Sequence, residues 1–220
     1  MGGAASTSEV RDLFMTAPVL GRRSILAMAA PILAFVAVPP HAHADSAAVA
    51  PIHQLIDGLV RVMKAGRATP FSQRFDMLAP VIDQTFDLTT ILKASVGATW
   101  DTLPHDQQAT LLKAFRRYTI ASYVNGFDED NEHFVIDPEA RIDGDEQIVR
   151  IRIIPDSGEV HKLDHVMQRG PASWRVVDIL ADGAISRVAV QRSDFRQLIR
   201  QGGPSALAQS LENKSTDLSD

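Results

Sequence analysis

Apolar residues recur at helical spacing along the first half of the chain and alternate with polar residues through much of the second. From Pro51, the positions Ile52, Leu55, Ile56, Leu59, Val60 and Met63 follow a 3.6-residue period. That predicts an amphipathic helix stopped by Gly66 and the Thr69-Pro70 pair. A second helix is expected over Ser72 to Thr85, with Phe75, Leu78 and Ile82 on one face and Pro80 as a kink. Asp87 is placed to cap a short third helix that runs through Ala94 and ends at Gly97. Pro104 opens a fourth, in which Leu111, Leu112, Phe115, Thr119 and Ser122 make one stripe up to Gly126.

After the acidic joint Asp128-Glu129-Asp130-Asn131-Glu132 the period changes to two. Val149, Ile151 and Ile153 alternate with Arg150 and Arg152, a strand with one buried and one wet face. Asp143-Gly144-Asp145 and Pro155-Asp156-Ser157-Gly158 read as hairpin turns on either side of it. Two further strands are expected over Val160 to Arg169 and Ser173 to Leu180. A closing helix starts near Ser193, breaks at Gly202-Gly203-Pro204 and resumes to Asn213, and Lys214 to Asp220 is expected to be a loose tail. Helices followed by a strand meander give the α+β class, with helices packed on one face of a curved antiparallel sheet.

The N-terminal segment is of a different kind. Arg22-Arg23 precedes the uncharged apolar run Ile25 to Val38, and Ala42-His43-Ala44 follows. A positive flank, a short apolar run and an A-x-A end predict a secretory signal peptide over 1–44, cleaved before Asp45. The run is shorter than the roughly 20 residues a spanning helix needs. Gly21-Arg22-Arg23-Ser24-Ile25-Leu26 also resembles a twin-arginine signal, so export through either route is compatible. Residues 45–213 are then expected to form a single α+β domain, with 214–220 as its tail.

Composition narrows the chemistry. The chain carries 22 Lys+Arg against 27 Asp+Glu, a formal net charge of −5, so it lacks the basic excess of a nucleic-acid binder. With no cysteine, disulfides, thiolate metal sites, cysteine nucleophiles and lipid attachment at an N-terminal cysteine are all excluded. No nucleophile elbow, phosphate-binding loop or dinucleotide fingerprint is present. His161 and His165 lie four apart in a strand-like segment, about 13 Å of chain, too far to share a metal. They are expected to be surface or half-buried histidines. The acidic joint lacks the glycine and distal glutamate of a calcium loop and reads as a solvated loop. One acid/base constellation stays open: Tyr118, Tyr123, His165 and Asp178 would converge if the helices close over the sheet. Its plain alternative has Asp178 paired with an arginine and the tyrosines simply packed.

The C-terminal third carries an ordered set of motifs. Trp174-Arg175-Val176-Val177-Asp178 is followed by a turn from Gly183 to Ser186, then Arg192-Ser193-Asp194-Phe195, then Gly202-Gly203 and Leu207. Phe86-Asp87-Leu88, Gly97 with Trp100, and Phe115 before Tyr118 and Tyr123 precede them. The set resembles the MlaC-type lipid-binding proteins, the toluene-tolerance family, and covers nearly all of the chain after the signal. Val188 to Phe195 is more similar to the hopanoid-gene-cluster branch, the HpnM-type proteins. The resemblance implies a cone of sheet and helices related to the nuclear-transport-factor-2 shape, with added terminal helices. It also implies a monomeric periplasmic carrier of phospholipids or hopanoids, with the lipid as its only ligand and no catalytic residue. Its partners would be an inner-membrane MCE-type ABC lipid transporter and an outer-membrane component.

A lipid carrier has to enclose acyl chains. The lining expected for it is the inward strand set Val149, Ile151, Ile153, Leu163 and Met167, faced by Phe75, Leu78, Leu112, Phe115, Tyr118 and Thr119, with Trp174 and Val176 near the edge. Gly97, Gly126 and Gly202-Gly203 are the candidate hinges. Two other readings remain at this level. A small enzyme of the same cone shape would use Asp178 or His165 in a pocket, and a protein-binding module would have a filled core and an exposed apolar patch.

Overall fold

The computed structural model describes residues 46–129, 131–156 and 158–219, so the signal peptide expected over 1–44 lies outside the described residues. Helix α1 (Ala50–Ala65) has Pro51 in its first turn, where the missing amide costs nothing, and buries Ile52, Leu55, Leu59, Val62 and Met63. It ends at Gly66, whose φ of 64° favours a residue without a side chain. Helix α2 (Phe71–Thr85) follows Pro70 and carries Pro80 on its exposed side. Helix α3 (Leu88–Val96) is capped as the sequence indicates, the Asp87 carboxylate accepting from the Thr90 amide at 2.9 Å.

Helix α4 (His105–Gly126) is the central element. Its second half is buried on nearly every side, through Tyr118, Ile120, Ala121, Ser122, Tyr123 and Val124. The buried stripe of its first half runs through Leu111, Ala114 and Phe115, while Leu112 and Thr119 are only half-buried. The stripe expected through Leu112 and Thr119 is therefore rotated. The last helix, α5 (Arg187–Asp217), starts before Ser193 and bends at Gly202 and Gly203 into two arms. It also runs beyond Asn213, with Ser215 buried, so the loose tail expected from Lys214 is helical as far as Asp217.

The strands are β1 (Glu132–Ile136), β2 (Arg141–Asp143), β3 (Glu146–Pro155), β4 (His161–Arg169), β5 (Trp174–Ala181) and β6 (Ile185–Ser186). They form one antiparallel sheet in the order β1-β3-β4-β5-β6, with β2 also pairing β3. The fold is α+β. Glu132, read from sequence as part of a solvated joint, opens β1 and is buried. Register places Val149 opposite His165, Ile151 opposite Leu163 and Gln147 opposite Met167, so all of these share the face turned to the helices. A bulge between Val166 and Met167 shifts the pairing, and Met167 lies opposite Val176.

The other face is not simply wet. Arg150 donates two hydrogen bonds to Asp164, at 2.6 and 2.8 Å, and Asp164 is fully buried. Gly183, at φ 72°, turns the chain directly over this carboxylate, and a Cβ there would sit 3.2 Å from its oxygen. Arg152 stays exposed, 3.6 Å from Asp137. Removing Arg150 strands a buried anion whose other arginine among the described residues, Arg141, lies at 3.9 Å. Arg150→Ala is expected to lower stability by about 2–3 kcal/mol. Asp164→Ala should cost less, because Arg150 alone can turn to water. Urea midpoints of the two variants check this order.

Candidate functional site

Between the helices and the sheet lies a cavity of about 40 Å³ with mostly apolar walls. Phe86, Leu88 and Ile91 contribute from the start of α3, and Phe115, Tyr118, Thr119, Ser122 and Tyr123 from α4. Ile179 and Asp178 on β5 and Arg187, Val188 and Gln191 on the first turns of α5 complete it. Local structure explains the placement. The Asp87 cap turns Leu88 and Ile91 inward, and the main-chain bond from the Asp87 amide to the Val176 carbonyl, at 2.9 Å, holds Phe86 against β5.

The polar members are accounted for. Asp178 accepts from its neighbour's amide at Ile179 (2.7 Å), from the Val188 amide (3.0 Å) and from the Ser186 hydroxyl. This carboxylate fastens the start of α5 to β5. Tyr123 is buried, and desolvation holds its hydroxyl well above the usual tyrosine range, so it stays neutral. The ammonium of Lys214 sits 6.0 Å from the centre of the Tyr118 ring.

His165 is elsewhere. It lies on the helix-facing side of the sheet between Val149 and Ile179, 2% exposed, and is absent from the cavity wall. The expectation of a surface or half-buried histidine is overturned by that burial. Desolvation pushes it down to about 4, and its Nδ1 has no hydrogen-bond partner. Of the constellation considered above, Tyr118, Tyr123 and Asp178 meet at the cavity and His165 does not.

Of the lining read from sequence, Phe115, Tyr118 and Thr119 are on the wall of this cavity. Leu78, Val149, Ile151, Ile153, Leu163, Met167 and Val176 are not. They pack into the contiguous apolar core, because the sheet is pressed against the helices over most of its length. Trp174 is buried at the sheet edge, beside a surface groove with Pro171 and under the Arg169 guanidinium, 6.0 Å from its ring centre. Leu112 is half-buried against the core. Phe75 turns the other way, into an outer groove between α2 and α4 with Phe71, Lys113 and Arg117. The residues missed by sequence reasoning are chiefly Val188 and Gln191, lost because α5 was expected to begin at Ser193. Phe86 and Leu88 stood beside a recognised cap and carried the signal that could have found them.

The site is thus a small, mostly apolar cavity where helices meet the edge of one sheet, with a few polar side chains on its wall. The chain belongs to the MlaC family: the model described as MlaC protein matches residues 53–213. Among solved structures, a phospholipid-binding protein from Ralstonia solanacearum, determined in complex with a phospholipid, has the same fold. Its TM-score is 0.66 and its identity 22%, and the match covers 79% of this chain and 99% of that one. No curated protein matches the chain. Among the described residues no helix is long and apolar enough to cross a membrane, and no cluster of three His, Asp or Glu residues is placed to hold a metal ion.

The buried histidine makes stability pH-dependent. The unfolded chain takes a proton on His165 below about pH 6.5, while the folded protein refuses it until about pH 4. The unfolded state thus binds more protons in that window, and stability falls as the pH drops through it. The loss attributable to this group is on the order of 3 kcal/mol. His165→Leu should flatten the melting temperature against pH between 6.5 and 4. An unchanged slope would mean the group is not desolvated in the fold.

Proposed function

We propose that this chain is a periplasmic lipid carrier. It takes up phospholipid, or a hopanoid, and exchanges it with an inner-membrane ABC lipid transporter of the MCE type and with an outer-membrane partner. The observation that carries the reading is the apolar cavity at the junction of α3, α4, α5 and β5, with Asp178, Arg187 and Gln191 at its rim. Membership of the MlaC family and the phospholipid held by a protein of the same fold support it. The motif set from Val188 to Phe195 is what keeps hopanoids in view. A monomer exported by a cleaved signal peptide is the form this role requires.

The physics of such a carrier is set by the cost of wet hydrocarbon. At ~0.8 kcal/mol per CH₂, one 16-carbon chain costs about 13 kcal/mol to expose. Free diffusion through water is therefore negligible, and the chains have to lie inside the fold while the headgroup stays at its rim. An acid/base enzyme draws little support from this geometry. Asp178 already accepts from three donors as a tie between elements, and His165 sits outside the cavity.

Native mass spectrometry with lipid extraction, on protein purified from a lipid-rich host, tests the carrier. A stoichiometric phospholipid or hopanoid adduct is expected. A clean protein mass, with no uptake from added liposomes, overturns the reading. Thr119→Trp fills the wall from a half-buried position. It should reduce bound lipid at least fivefold and leave the melting temperature within a few degrees.

A further inference from the structure

The two arms of α5 are held in very different ways. Among the described residues, the second arm, 204–217, buries Leu207, Ala208, Leu211 and Ser215, whereas the first, 187–201, buries only Phe195. Phe195 meets Phe115 edge-on, with ring centres 6.2 Å apart. Val188, Leu198 and Ile199 add half-buried apolar contact with the core, and the other ties of the first arm are polar. Asp178 holds Ser186 and the Val188 amide. The Ser95 hydroxyl reaches Gln191 at 3.1 Å, and Arg192 donates to the Ala94 carbonyl at 2.9 Å. Water can replace each polar tie on separation, so the apolar contact that opposes lifting this arm is that of one buried and three half-buried side chains.

Turns with unusual backbone angles bound the arm at both ends. Before it, Asp182 and Gly183 turn the chain at φ 50° and 72°. After it, Gly202 and Gly203 depart from helical geometry, and Gly203 sits at φ 69° and ψ −170°, a conformation that only glycine adopts cheaply. A Cβ on Gly202 would come within 2.7 Å of the Ala206 side chain, so the bend is built around the absence of one. Val188 and Gln191 on this arm form part of the cavity wall.

We infer that residues 187–201 are a strap that lifts away from α3 and α4, between the Asp182-Gly183 turn and the Gly202-Gly203 bend, to admit an acyl chain to the cavity. The inference rests on the carrier reading and names the moving part. A cavity of 40 Å³ is well below the ~150 Å³ that accommodates benzene, so a wall has to move before any lipid enters. The first arm of α5 is the wall element with the fewest buried side chains. Helix α4 is buried along most of its inner length, and α3 is tied to β5 by the bond from Asp87 to Val176.

The chain has no cysteine, so a chosen pair can be joined without competition. In Ala94→Cys with Arg192→Cys, a short bis-maleimide bridges α3 to the strap. Uptake of a fluorescent phospholipid from phosphatidylethanolamine/phosphatidylglycerol vesicles is compared before and after bridging. At least a tenfold loss on bridging, reversed when a reducible bridge is cut, is the expected result. The same uptake rate in bridged and unbridged protein overturns the strap. If the parent chain takes up no lipid at all, the carrier reading falls, and hydrogen exchange decides the strap by itself. Amides of 187–201 should exchange at least tenfold faster than those of 204–217, and equal protection overturns it.

Discussion

Strand β5 has β4 on one side and an otherwise open edge on the other, and the helical layer is fastened along that edge. At one end the Asp87 amide bonds the Val176 carbonyl. At the other, β6 pairs with Leu180 and Ala181. Between them the Asp178 carboxylate gathers the Ser186 hydroxyl and two amides, one of which belongs to α5. An unpaired edge is a liability in any sheet, and here it is used up in joining layers. The cavity lies along this seam, with Phe86, Ile179 and Val188 on its wall, while Val149, Ile151 and Ile153 in the middle of the sheet are packed into the core.

The distribution of charge follows from the same seam. On the outward face of the sheet, Asp164 is buried but matched by Arg150, so an anion is retained in low dielectric by direct pairing. On the inward face no such pairing is available to His165, and it survives there only by remaining neutral. Tyr123, at the cavity, is likewise neutral. His165 and Tyr123 thus stand in the interior as neutral groups, and the buried Asp164 is held by its arginine. Such an environment suits hydrocarbon. It is poor ground for a proton relay, which needs a group free to change its charge.

Much of this was legible in local sequence, and the failures share a cause. Pro51 with Gly66, and the Asp87 cap, act within a few residues, so the first three helices follow from their own segments. The break at Gly202-Gly203 is equally local. The rotated stripe on α4 is not, because a helix wrapped by neighbours on several sides has no single polar face to set its phase. The start of α5 does carry a local signal, Ser186 accepting from the Ala189 amide at 3.0 Å, while the Val188 amide is satisfied by Asp178, ten residues away and on another element. Glu132 belongs to an acidic run in sequence, yet pairs across to Pro155 at the end of β3. Which apolar residues line the cavity, and which merely fill the core, depends on how closely sheet and helices approach, and alternation along a strand carries no information about that distance.

The size of the cavity is itself a consequence of stability. Unfilled apolar volume costs about 24 cal/mol per Å³, so a permanent void of ~500 Å³, enough for lipid chains, would cost about 12 kcal/mol. That is comparable to the whole stability of an ordinary domain, about 5–15 kcal/mol. A carrier of this length cannot hold a lipid-sized void open. Its apolar walls have to meet one another when they are not meeting lipid, which is how Phe115 and Phe195 are found. The aliphatic composition of the interior fits that demand, since the chain is 45% hydrophobic but only 6% aromatic, and aliphatic side chains repack more readily than rigid rings. Uptake then exchanges protein–protein apolar contact for protein–lipid contact of similar worth. The affinity for lipid is set by the difference between those two packings rather than by the hydrocarbon buried. A small difference is what any carrier needs if it is to release its cargo.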